Sequence, residues 1–481
     1  LAQVRSISTL KLCLGFLPDL MVEVKNRTID LETASTTCGG DSDVGLSDMS
    51  NKMVESNSSI FRRGGVLPTG LCLSKAAIGA GVLSMSVHSA EVGILYQLGC
   101  LLVAGALAVV SIRMISIASI ETQRWSFEDI CEELFHPVVS FFTGLINASV
   151  CLGSATSYLI VSGQVFVVIF QADDRARDLF VVLIGIFVCC PLALAEHVGF
   201  MRHLAALSVA ALLFLVITVG CYLGANGVDS SVTTENFLVG PGVATIFTYM
   251  NSINNLVNAY NNQFNVPQLT GELTPNPSTR GMTQVSFLST SISFLLYGSV
   301  SILGVLAFGI GQGQKDSLIL DLMPARKEVH VIVSLVAVLF SVLISFQFHI
   351  FPIRQFLAYN VRKLRGRKVE EKDEIAMCGR TMTRWYDIIG ALGSVVLAIL
   401  LAVAITSLRA MLDFIGAFGA SYISYVVPPL WILALRRKTC GFSNFSWCTA
   451  EILFSMAVLA LGLFLFVFGT YSAIIPLVQG A

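Results

Sequence analysis

The chain has 481 residues, of which 55% are hydrophobic and only 13% charged, with a mean hydropathy of +0.77; a water-soluble core that apolar would aggregate, so an ordinary soluble domain is excluded. With 30 basic and 31 acidic residues the formal net charge is −1, which excludes the dense positive field that a nucleic-acid partner needs. The 12 cysteines do not read as a disulfide framework, because many of them, Cys72, Cys151, Cys189 and Cys190 included, lie inside apolar runs as small packing residues.

In chain order, residues 1–63 come first and carry no apolar periodicity; Thr, Ser, Asp, Glu, Gly and Asn dominate from Asn26 to Ser59, which predicts a disordered cytoplasmic tail. The apolar patch Leu10–Leu20 contains Pro18-Asp19 and is neither a signal peptide nor a span, and Met21 is a candidate start. From residue 64 a transmembrane domain begins. Eleven apolar stretches are long enough to cross a hydrocarbon layer of roughly 30 Å: 66–89, 94–120, 137–170, 178–196, 203–224, 243–270, 286–311, 329–357, 386–406, 410–434 and 449–475. The expected fold is therefore an all-α integral membrane protein. Its first ten spans divide into two sets of five, 66–224 and 243–434, and one extra helix follows at 449–475. Spans one and six, in corresponding positions of the two sets, are both interrupted, which is the pattern of an inverted repeat with a site at the membrane midplane. Lys and Arg crowd the loop after span eight (Arg362 to Arg384) and the one after span ten (Arg436, Arg437, Lys438), so the positive-inside rule puts the N-terminus in the cytoplasm and the C-terminus outside it. The sequons at Asn26, Asn57 and Asn444 are then unused.

Three motifs carry chemistry. The first is Lys75-Ala-Ala-Ile-Gly79-Ala80-Gly81 in span one: glycine lacks a Cβ and costs about 1 kcal/mol relative to Ala within a helix, so the pair favours a break that frees amides and carbonyls for a ligand. Close packing of small residues is the plainer reading of the same spacing. The second runs from Asn251 to Pro267 in span six, where Asn254, Asn255, Asn258, Asn261, Asn262 and Gln263 cannot face lipid with their hydrogen bonds unmet; the alternative is an amphipathic surface helix. The third is Phe351-Pro352-x-Arg354 at the end of span eight. Spans six and eight both end inward in this topology, which predicts Glu272 and Arg354 as neighbours forming an inner gate, with Arg62 or Arg63 as rival partners of Glu272 and two solvated end charges as the plainer alternative.

Order and spacing of these motifs resemble the amino acid/auxin permease family, within the amino acid-polyamine-organocation transporters of LeuT-type fold. The resemblance covers about 64–475 and includes the Leu295-Leu296-Tyr297 run leading to Phe308-Gly309. It implies a secondary active transporter that moves amino acids by alternating access. Substrate would sit between the span-one break (Gly79, Ala80, Gly81) and the span-six break (Ala259, Tyr260, Asn261), with span-three Ser154 beside it. The neutral polar groups of spans three and six favour a neutral substrate, with Asp413 as the exception. Where sodium-coupled relatives carry Asn this chain has Lys75, and where many relatives carry His it has Gln263. The resemblance then implies a tethered ammonium at the sodium position, bonded to freed carbonyls and Ser345, or a Lys that titrates, hence sodium-independent transport with the proton as coupling ion; snorkelling of Lys75 to the interface is the alternative. No cofactor or metal is expected. Of the six histidines only Glu133 to His136 has a ligand-like spacing, without the second copy a di-metal bundle needs, so a membrane enzyme is the weaker alternative. The lone histidines read as packed or interfacial. A nutrient-sensing receptor of the same fold is the other alternative. The expected location is the plasma membrane, or else a vacuolar or lysosomal one.

Overall fold

The computed structural model describes residues 64–194, 198–310, 317–325, 328–364, 385–405, 407–439 and 445–479. The predicted tail 1–63 and most of the basic 362–384 loop lie outside the described residues. The described chain from residue 64 on is all helical. Helix α1 is Val66–Ala77, followed by a 3-10 segment Ala80–Ser84 and α2 Met85–Val92. Then come α3 Ile94–Thr122, the short α4 Phe127–Leu134, α5 Pro137–Phe170, α6 Asp174–Ile184, α7 Cys190–Leu194 and α8 Val198–Asn226. After a small surface helix α9 Thr234–Val239 the chain forms α10 Ile246–Ala259, α11 Val266–Gly271 and α12 Thr279–Phe308. The remainder is α13 Leu318–Asp321, α14 Val329–Leu364, α15 Trp385–Ala404, α16 Leu408–Ile415, α17 Val427–Thr439, α18 Phe445–Phe464 and α19 Thr470–Gln479.

Eight of the described helices are long and apolar enough to cross a membrane, and α1 with α2, bent by 53° at the break, makes a ninth. The sequence predicts eleven such spans. Ile388–Ala404 is apolar but shorter, and α10 and α11 are separate helices of 14 and 6 residues, so the number of spans rests on how those two segments are counted. Leu102, Phe142, Phe187, Ile217, Phe287 and Leu400 each expose more than half their surface. That outward apolar belt belongs against lipid.

Local chemistry sets the ends of these helices. Thr245 and Thr248 form a capping box that starts α10, with Thr248 N donating to Thr245 Oγ1 at 3.3 Å and Thr245 N to Thr248 Oγ1 at 3.2 Å. Gly93, at φ 83°, turns the chain between α2 and α3, and a Cβ there would run into the backbone of Val239 and Gly240. Helix α5 packs along α14, while α1 lies against α12 and α8. The two broken helices are thus enclosed by long continuous ones, away from lipid.

Candidate functional site

Helix α1 stops because its backbone leaves helical geometry at Gly79 (φ −113°, ψ −137°), after a last turn closed by Ile78 N donating to Ser74 O at 2.7 Å. A Cβ on Gly79 would overlap the phenol ring of Tyr158 on α5, so this position needs glycine for a close approach. Helix α10 ends at Ala259, and Tyr260 (φ −98°, ψ 12°) begins an irregular stretch to Asn262. The C-terminal carbonyls of both half-helices meet at one side chain: the fully buried Tyr297 of α12 has its hydroxyl 2.8 Å from Ala259 O and 3.1 Å from Ala77 O, so its proton is shared between them.

A small cavity lies at this junction, lined by Gly79, Ala80 and Gly81, by Asn258, Ala259 and Asn261, by Ser154, Ser157 and Tyr158 of α5, by His349 of α14 and by Leu412 of α16, with Ala76 and Ala77 at its edge. Its wall holds no Asp, Glu, Lys or Arg. The amide atoms Asn261 Nδ2 and Oδ1 are buried without a hydrogen-bond partner among the described residues, leaving a donor and an acceptor at the cavity for a ligand.

Of the sequence-predicted site residues, Gly79, Ala80, Gly81, Ala259, Asn261 and Ser154 come together here. Tyr260 does not line the cavity. Its ring stands edge-on to Tyr297 at 5.9 Å and its hydroxyl lies beside Gly105 of α3, because the chain has left helical geometry and turned that side chain outward. Lys75 is fully buried rather than snorkelled: its Nζ donates to Ile78 O at 3.0 Å and to Ser341 Oγ at 2.8 Å, and Ser341 Oγ lies 2.8 Å from Ser208 Oγ of α8. The hydroxyl it reaches is Ser341, one turn before the expected Ser345; Ser345 instead bonds along its own helix, to Ser341 O at 3.2 Å. An ammonium at the C-terminal end of α1 is well placed against the helix dipole.

The predicted gate residues face different neighbours. Arg354 Nη1 donates to Ala193 O of α7 at 2.9 Å, and Glu272 Oε1 accepts from Gln268 Nε2 at 3.2 Å. Among the ion pairs of the described residues there is none between them. The end of α11 is drawn instead to the chain before α1, where Thr274 N donates to Gly64 O at 3.1 Å.

Ser157, Tyr158 and Asn258 enter the sequence reading only as neutral polar groups of spans three and six, and His349 and Leu412 are not read there as site residues. For His349 a signal was present: Ser341, Ser345 and His349 recur every fourth residue, a polar stripe on one face of an otherwise apolar helix. Its Nδ1 lies 2.9 Å from Ser345 O and 3.4 Å from Tyr158 Oη, and its ring packs against Tyr158 and Phe264. The first of these bonds makes Nδ1 the donor and leaves Nε2 an acceptor.

Residues 62–475 match the family model described as transmembrane amino acid transporter protein. The chain belongs to that family. Family membership places it among transporters of LeuT-like fold and not among enzymes. Vacuolar amino acid transporter 5 of Schizosaccharomyces pombe is 24% identical over 384 residues, spanning 78% of this chain and 85% of the relative. Vacuolar amino acid transporter 6 of Saccharomyces cerevisiae is 22% identical over 413 residues, spanning 77% of this chain and 90% of the relative. Among solved structures, MhsT in complex with L-phenylalanine aligns with a TM-score of 0.56 at 14% identity, over 88% of this chain and 99% of that one. Mhp1, a nucleobase-cation-symport-1 family transporter in a closed conformation with bromovinylhydantoin bound, aligns with a TM-score of 0.54 at 13% identity, over 85% and 90%. At such identities these two establish the fold alone.

Proposed function

We propose that this transporter carries small neutral amino acids by alternating access, without sodium and coupled to protons, across the membrane of an acidic organelle. The observation that carries the reading is the convergence of two interrupted helices on one small polar cavity, whose freed backbone and whose Asn261 amide suit the carboxylate and amine of an amino acid. The uncharged wall supports a neutral substrate, since Arg or Lys side chains would call for a carboxylate. Sodium independence is supported by Lys75, whose ammonium already bonds the carbonyl of Ile78 that a cation would seek. The eleven-span reading keeps α10 with α11 as span six and α15 as span nine, two sets of five with α18 and α19 as the extra span; the N-terminus is then cytoplasmic. The names of the two yeast relatives favour a vacuolar membrane over the plasma membrane.

Reconstitution in liposomes tests this. Saturable uptake of labelled neutral amino acids that is driven by a pH gradient and unchanged when choline replaces sodium is the expected result. Lys75→Asn is expected to lower uptake by about tenfold, the equivalent of ~1.4 kcal/mol. A strict sodium requirement in the wild type would exclude the tethered ammonium, and binding without uptake would point to a receptor.

A further inference from the structure

Besides Lys75, a quartet of ionisable residues stands at the far end of the first span, next in sequence to a cavity-lining residue. Helix α2 carries His88 and Glu91, one turn apart; α16 carries Arg409 and Asp413, also one turn apart, beside the cavity-lining Leu412. Arg409 grips Glu91 through both of its terminal nitrogens. Its Nε stands 3.9 Å from Asp413 Oδ2, at the outer limit of an ion pair. His88 is fully buried and Asp413 is 4% exposed, and His88 Nε2 lies 3.2 Å from Asp413 Oδ1. The distance is that of an ion pair, yet neither of these atoms, nor His88 Nδ1, makes a properly angled hydrogen bond among the described residues.

Charge sharpens the point. With a neutral imidazole the quartet sets one cation against two carboxylates; with a protonated one it sets two against two. A buried carboxylate whose main cation is committed elsewhere is expensive, and the group that can repair the imbalance is an imidazole, the side chain that ordinarily titrates between about pH 5 and 8. The elements packed around α2 offer no competing charge nearby: the outer parts of α3, α10 and α12 present only the phenols Tyr96, Tyr249 and Tyr297 and the thiol Cys100 as ionisable groups, and the 3-10 segment Ala80–Ser84 presents none.

We propose that His88 and Asp413 form a proton-binding site joining α2 to α16 over the cavity, so that a proton taken from the compartment this mouth faces closes the cavity on that side. In the protonated pair the imidazole turns so that Nε2–H donates to Asp413 Oδ1, and the incoming proton is carried on Nδ1. Deprotonation leaves two carboxylates against Arg409 alone and loosens α2 from α16. The inference rests on the transport reading and gives its proton a place to bind.

The test needs no substrate, so its failure is distinct from a failure of amino acid uptake. Protein carrying Ser154→Cys is reconstituted and labelled with an impermeant thiol reagent from the side of this mouth, and the rate is divided by that of a Cys at the exposed Ser230 to remove the effect of thiol ionisation. With His88 intact the ratio is expected to fall at least about fivefold between about pH 8 and about pH 5.5. His88→Gln and Asp413→Asn, each added singly, are expected to flatten it. A ratio independent of pH in the protein with His88 intact overturns the proposal whether or not the variants fold, and so does an unchanged fall in His88→Gln.

Discussion

Two glycines flank Ala80, and they do different work. At Gly79 an added methyl meets the phenol of Tyr158, a ring that also packs edge-on to His349 at 5.2 Å. At Gly81 it meets only Ala259 Cα and Cβ at 3.7 and 3.8 Å, ordinary van der Waals contact. Overpacking of the first kind costs about 1–3 kcal/mol. Gly79→Ala is therefore expected to lower uptake, normalised to protein in the membrane, by about tenfold or more, whereas Gly81→Ala keeps it within about twofold. Equal losses at both positions would show that backbone freedom, and not the Tyr158 contact, is what the break requires. The larger Gly81→Val side chain would enter the cavity itself and is expected to abolish uptake.

At the scale of elements, the two half-helices depend on α12 to stay together. Helix ends leave carbonyls without intrahelical donors, and the Tyr297 hydroxyl serves Ala77 O and Ala259 O at once. Tyr297→Phe keeps the ring and deletes that donor, so a destabilisation of about 1–3 kcal/mol is expected, read as a lower unfolding midpoint in detergent together with a raised KM. An unchanged KM would mean that the bridge only holds the fold. The short helix α4 gives a pH dependence of another origin. Glu128 is buried against Gly144 of α5, near Phe356 of α14, and burial pushes its carboxyl from an ordinary 4.5 up to about 7. The folded protein therefore keeps a proton there that the unfolded chain has released, and this contribution to stability is full below about pH 4.5 and lost as pH rises through about 7. The expected loss is ~1–3 kcal/mol between about pH 5 and about pH 8, judged from a shift worth 1.36 kcal/mol per pH unit. Glu128→Gln should remove this component from thermal unfolding scans, and an identical profile in the variant would assign the dependence to other groups.

For the whole molecule the orientation in the membrane is the premise on which sidedness rests. By charge, the basic run from Arg362 to Arg384 is expected in the cytosol, and the loop holding Ser230, which is exposed, on the other side. In a membrane sealed right side out, an impermeant thiol reagent is expected to modify a Cys at Ser230 and to spare one at Gly366. The reverse pattern would turn the His88 mouth toward the cytosol and move its proton source with it.

The sequence by itself determined the solvent of the fold, the weak point of span one and part of the cavity wall, because each is written in local terms. Long apolar runs can only be met by lipid, two glycines around Ala80 weaken one helix, and a span crowded with amides must turn them toward protein. Those rules point to Gly79, Ala80 and Gly81, whereas Ala259 and Asn261 are carried over by position from the family resemblance. What one residue does to a distant one is not local. That Lys75 meets Ser341 and not Ser345, that Tyr260 turns from the cavity while Tyr297 ties both breaks, and that Arg354 finds Ala193 depend on helix rotations set by packing. A one-turn shift between α1 and α14 carries the ammonium to a different serine at no change in either helix's own pattern. The His88–Asp413 contact is of the same kind: Asp413 stands out in its span and His88 does not, and only the approach of α2 to α16 makes them a pair.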